Sequence, residues 1–85
     1  MKIQWGTKTY SAHSGSTIQY PEITSSDGLI AFTNINTLNA FFSETPNGSA
    51  VNHCAEWDKG RSTVSKIVAC TTHGSGDLHW FIIGY

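Results

Sequence analysis

Apolar and polar residues alternate with a period of two along most of the chain, the pattern of half-buried β-strands. In the first segment Ile3, Trp5, Thr7 and Thr9 share one face, while Gln4, Lys8 and Tyr10 take the other. Residues 11–16, which include Gly15, form a turn-rich stretch. Thr17-Ile18-Gln19-Tyr20 reads as a short strand ended by Pro21, which has no N–H to give to a ladder. Ser25-Ser26-Asp27-Gly28 is a turn signal, and residues 29–33 are the next strand. An Asn-rich stretch over 34–39 leads into a strand at 40–43, and Thr45-Pro46-Asn47-Gly48 supplies a hairpin-type turn. Residues 49–57 alternate again, with Val51, His53, Ala55 and Trp57 set against Asn52, Cys54 and Glu56. A polar loop over 58–61 follows. Strands at 64–71 and 78–85, separated by the Gly-rich 73–77, complete the set. The pattern predicts an all-β fold: a small antiparallel β-sandwich of about six to seven short strands, in one domain spanning residues 1–85.

Two segments depart from the alternation. Residues 29–32 (Leu29, Ile30, Ala31, Phe32) and 79–83 (His79, Trp80, Phe81, Ile82, Ile83) are apolar on both faces. A strand of that kind needs cover on both sides. No window has the period of an amphipathic helix, so two covers remain: a second sheet with bulged neighbours, or another copy of the chain. The second is favoured, with Leu29, Ile30, Phe32, Trp80, Phe81, Ile82 and Ile83 as the candidate oligomer interface.

Size sharpens this expectation. Eighty-five residues bury roughly 60–65% of the surface of the unfolded chain, so a single small core gains from a further device. Ser, Thr and Asn fill 25 of the 85 positions, which favours strands and turns over helices. Ten aromatic residues supply enough apolar surface for a core. Five Lys/Arg against six Asp/Glu leave a net charge of −1 with no basic stripe, which counts against nucleic acid as a partner. No run approaches the roughly 18 apolar residues of a membrane-crossing helix, so no membrane insertion is expected.

Metal and catalytic chemistry find little support in the spacing. His53-Cys54 and Cys70…His73 have the residue types of a tetrahedral zinc site, but adjacent strand residues point to opposite faces. Cys54 and Cys70 could be bridged only if their Cα atoms lie within about 7 Å, and two buried free thiols are the expected state. Glu56 and Asp58, two apart, offer a pair of carboxylates of the glycosidase type. Gly74-Ser75-Gly76 lacks the Gly-x-Ser-x-Gly pattern of a nucleophile elbow. The expectation is no enzymatic activity, no cofactor and no metal.

The two ends of the chain carry a resemblance. Ile3-Gln4-Trp5-Gly6-Thr7 near the start and Trp80-Phe81-Ile82-Ile83-Gly84-Tyr85 at the end resemble the C-terminal receptor-binding domain of phage and prophage tail fibres. In that family an "IQWG" strand opens the domain and a "WxAIGY"-like strand closes it. The motifs cover about a dozen residues, and their order and spacing fit the whole chain. Phe81 and Ile82 depart from the residues common there, and the family's "FP"-rich second strand is reduced to Tyr20-Pro21. A looser similarity runs to H-type lectins, trimeric six-stranded sandwiches that end in a "WIAIG"-like strand.

The resemblance implies a homotrimeric tip at the distal end of a virion tail fibre, made in the host cytoplasm as part of a longer protein. Such a tip would bind a bacterial surface glycan or outer-membrane protein during adsorption. A free-standing H-type-like lectin and a polysaccharide-cleaving tip are the alternatives. With a fibre shaft entering at Met1 and strict reversal at each turn, loops 10–16, 33–38 and 57–63 would lie far from the shaft, with Tyr85 nearby. Loops 21–28, 44–48 and 71–77 would lie beside it. The candidate receptor-binding residues are then Tyr10, His13, Asn34, Asn36, Trp57, Asp58, Lys59 and Arg61: an aromatic face beside amide, carboxylate and cationic groups.

Overall fold

The computed structural model describes residues 1–10, 18–46, 54–72 and 76–85. These form six strands: β1 (Lys2–Tyr10), β2 (Glu22–Ile23), β3 (Asn39–Pro46), β4 (Ala55–Trp57), β5 (Ile67–Thr71) and β6 (Gly76–Gly84). Three single-turn 3-10 segments join them, at Ser25–Asp27, Ile35–Thr37 and Lys59–Arg61. There is no α-helix among the described residues. The strands make two antiparallel three-stranded sheets, in the orders β1-β6-β3 and β2-β5-β4.

The last strand is the centre of the first sheet. Along β1 the register runs from Lys2 opposite Gly84 to Tyr10 opposite Gly76, and along β3 from Asn39 opposite Ile83 to Pro46 opposite Gly76. Even-numbered residues of β6 (Leu78, Trp80, Ile82) point inward and are buried. They meet Ile23, Ile67 and Ala69 of the second sheet, together with Leu29, Phe32 and Leu38 from the connection between β2 and β3. The core therefore draws on both sheets and on that connection.

The connection differs from the sequence expectation. Residues 29–33 are not a strand. Leu29 and Phe32 are buried while Ile30 is exposed, a spacing set by two isolated anchors and not by a pleat. Its backbone is held from outside any ladder: the Gln4 side-chain amide donates to the Ile30 carbonyl (2.8 Å) and accepts from the Ile30 N–H (2.7 Å). Phe32 donates to the Val64 carbonyl (2.9 Å). Ahead of it, Thr24 and Asp27 form a reciprocal capping box, and Gly28 closes the turn at φ 92°, a left-handed conformation that glycine takes at least cost.

One strand fewer reverses the direction of every later segment. β3 therefore runs parallel to β1 on the other side of β6, and its start lies at the Met1 end of the sheet. Residues 33–38 and Tyr85 sit at that same end, where the Tyr85 carbonyl accepts from Thr33 N–H (2.9 Å) and Asn34 N–H (3.0 Å). The opposite end holds Tyr10, Gly76 and the end of β3. The strand expected at 17–20 is also displaced. Its described part contributes one bridge, Gln19 to Thr71, and the strand itself falls after Pro21.

Candidate binding surfaces

The seven residues expected at an oligomer interface divide between two environments. Leu29, Phe32, Trp80 and Ile82 are inside the chain's own core. The second sheet and the 24–38 connection provide the cover that a second copy was expected to give. Ile30 and Phe81 are exposed and Ile83 is half-buried.

Phe81 and Ile83 belong to the outward face of the first sheet, and among the described residues nothing packs over the Trp5, Phe41 and Phe81 side chains, which stay exposed. Its rows follow from the register: Ile3, Ile83 and Asn39; then Trp5, Phe81 and Phe41; then Thr7, His79 and Ser43; then Thr9, Asp77 and Thr45. Trp5 is 71% exposed and Phe41 60%. The Phe41 and Phe81 rings are tilted against each other with centroids 6.3 Å apart, beside a recess of about 210 Å³ that His79 and Ser43 also line. Below them His79 is held between two hydroxyls, Thr7 Oγ1 at 3.1 Å from Nδ1 and Thr45 Oγ1 at 2.8 Å from Nε2. Thr9 donates to the Asp77 carboxylate (2.8 Å). Of the eleven Lys, Arg, Asp and Glu residues in the chain, Asp77 alone stands on this face. An aromatic centre depleted in charge is the composition of an interface core.

The expected receptor-binding residues fall into three groups. Asn34 and Asn36 are exposed in the turn at the Met1 end, where the Asn34 side chain accepts from Asn36 N–H (2.9 Å). Trp57, Asp58, Lys59 and Arg61 form a second cluster. The Asp58 carboxylate caps its turn by accepting from Arg61 N–H (3.1 Å) and binds the Arg61 guanidinium (2.6 Å). Lys59 Nζ stands 5.9 Å from the Trp57 ring, and the indole N–H donates to Ser62 Oγ (3.1 Å). Tyr10 is apart from both, at the far end, and His13 lies outside the described residues. The turn at 33–38 lies at the Met1 end and Tyr10 at the opposite end, so the set expected far from a shaft at Met1 is divided.

Two contributors had no signal in the sequence. Arg61 lays its guanidinium 3.8 Å over the ring of Tyr20, a residue 41 positions away. Tyr20 also borders a groove of about 330 Å³ whose other walls are Lys8, Tyr10, Ile18, Gln19 and Pro21. Lys8 Nζ is tied to the Glu22 carbonyl (2.7 Å) and the Asp27 carboxylate (3.1 Å). Tyr10, the buried wall, has its phenol pushed up to about 12, mainly by burial and next by the neighbouring Glu44 carboxylate, with Thr71 acting in the other direction.

Cys54 and Cys70 are free thiols, but they are not buried as expected: Cys54 is exposed and Cys70 half-buried. Glu56 faces Cys70 and Ala55 faces Thr71 across the β4–β5 ladder, so Cys54 stands two positions along from Glu56, where its N–H donates to Thr72 Oγ1 (3.0 Å). The two are diagonal neighbours, for which Cα separations of about 7–8 Å are usual, beyond the reach of a disulfide. His53 and His73 lie outside the described residues. Among the described residues no group of three or more His, Cys, Asp or Glu side chains could hold a metal. No family model, curated protein or solved structure matches the chain.

Proposed function

We propose that this chain is the receptor-binding tip of a phage-type tail fibre, a small β-sandwich that assembles as a trimer and acts by binding, without catalysis. One observation carries the reading. The two segments that resemble the fibre family are neighbouring strands, paired from Lys2–Gly84 to Tyr10–Gly76, and together they turn Ile3, Trp5, Phe81 and Ile83 outward. Each motif position has a use in that pairing. Gln4 clamps the Ile30 backbone, Gly6 makes room for Trp80, and Trp5 heads the charge-poor outer face. This face takes over the interface role first given to Leu29, Phe32, Trp80 and Ile82. A near-neutral face meets its own copy without like-charge repulsion, and burying its aromatic rows would favour association by about 25 cal/mol per Å² of apolar surface. Three-fold symmetry follows from the resemblance.

Light scattering on purified protein tests the assembly, and competition for phage adsorption by the isolated domain tests the function. The expected mass is three chains, falling to one chain in Trp5→Asp with an unchanged far-ultraviolet spectrum, and only the trimer blocks adsorption. A monomeric wild-type protein that still blocks adsorption would remove the trimer and leave the binding role. A trimer indifferent to Trp5→Asp would remove the outer face as the interface.

A further inference from the structure

We propose that the groove beside Tyr20 is a subsite for a single uncharged pyranose ring, with the Tyr20 ring as its stacking platform. This deepens the binding role proposed above and rests on it for the class of ligand. The groove opens near Tyr10, toward the end of the first sheet remote from Met1 and Tyr85.

Tyr20 is an exposed aromatic residue that is nevertheless held in place. Pro21 restricts the backbone of the residue before it to extended conformations. Gln19 and Thr71 exchange two backbone hydrogen bonds (3.0 and 2.9 Å), and Ala69 N–H donates to the Pro21 carbonyl (2.9 Å). Arg61 stacks over one face of the Tyr20 ring, its guanidinium carbon 3.8 Å from the centroid, and is itself fixed by two bonds to Asp58, so a sugar would use the other face. A platform ordered before the ligand arrives removes much of the entropy cost of binding.

The other walls select for the ligand. Ile18 and Pro21 are apolar and suit the C–H face of a sugar ring, as the phenol ring does. An ammonium has three donors, and those of Lys8 serve the Glu22 carbonyl, the Asp27 carboxylate and, in the proposed complex, a ring hydroxyl. Both cations near the groove already have a carboxylate, Lys8 with Asp27 and Arg61 with Asp58. An acidic sugar or a phosphate would therefore find no unmatched positive charge, whereas a neutral ring pays nothing for that balance. A volume of about 330 Å³ is at the lower end of small-molecule sites, enough for one ring and not for an oligosaccharide.

The test is a titration of the whole ¹⁵N-labelled 85-residue chain with a panel of methyl glycosides of neutral hexoses, with methyl glucuronide as the charged control. At least one neutral glycoside should shift the Ile18, Gln19 and Tyr20 amides saturably, with a dissociation constant on the order of 1–10 mM. Tyr20→Ala should weaken it at least tenfold and Tyr20→Phe little. Ile18→Asn gives the same reading if Tyr20→Ala loses its dispersed spectrum. The proposal is overturned if no neutral glycoside shifts these amides, if the shifts survive Tyr20→Ala, or if the glucuronide binds more tightly. Blocked adsorption without groove shifts would remove the subsite and leave the fibre tip. Groove shifts with no effect on adsorption would do the reverse.

Discussion

At position 6 the chain carries no side chain because the Trp80 indole lies where one would begin. A Cβ there would stand 2.6 Å from Cζ2 and 2.8 Å from Cε2 of that ring. Gly6 and Trp80 are direct cross-strand partners on the inward face, and the bare backbone of one becomes the floor for the other. Trp80 is buried, and its indole N–H has no hydrogen-bond partner among the described residues, so the ring is kept for the space it fills. Gly6→Ala should cost about 1–3 kcal/mol through overpacking, lowering the midpoint of thermal unfolding by several degrees. Combined with Trp80→Phe, whose ring lacks the outer half of the indole, the loss should be smaller than the sum of the two single changes. Additive losses in calorimetry would show that Gly6 is needed for something other than this contact.

At the level of elements, the strands that were legible are those whose alternation is backed by a full ladder. β1 and β6 came out of the sequence within two residues at each end, because period two there coincides with an inward and an outward face. Residues 29–33 misled for a physical reason: Leu29 and Phe32 are anchors three apart, and the backbone between them is satisfied by a side chain and a distant loop. A side-chain amide acting as a strand partner leaves no periodic trace in the segment it holds. The missing strand reverses the direction of β3, which is why the turn at 33–38 lies at the Met1 end. Gln4→Met tests the clamp. It keeps the side-chain volume but strands the Ile30 N–H and carbonyl, so stability should fall by about 1–2 kcal/mol. Amide exchange should accelerate most at Ile30. If Ile30 exchanges as before, the clamp contributes nothing to order in the connection.

For the whole molecule, the two-faced apolarity of the last strand was legible, but not which side the chain covers for itself. That depended on β6 being central and on a second sheet whose strands, apart from β5, are only two or three residues long. The two sheets are joined at the far end through Tyr10, whose phenol lies with Glu44 of β3 and Thr71 of β5. This junction makes stability depend on alkaline pH in a definite direction. The folded phenol titrates near 12 against 10.0 for the free group, because burial and the Glu44 carboxylate both disfavour the phenolate. The folded state thus holds the proton more tightly than the unfolded state. The stabilisation it brings is complete below pH 10 and is lost as pH rises through 12, at most about 3 kcal/mol in all. Tyr10→Phe should be at least as stable as wild type at neutral pH, because the phenol oxygen is buried with no hydrogen-bond partner among the described residues. It should also lose less stability over the alkaline window, so the two urea midpoints move apart between pH 10 and 12. Parallel midpoints across that window would mean that Tyr10 does not titrate differently on folding, and that the two sheets are held together at this end by packing alone.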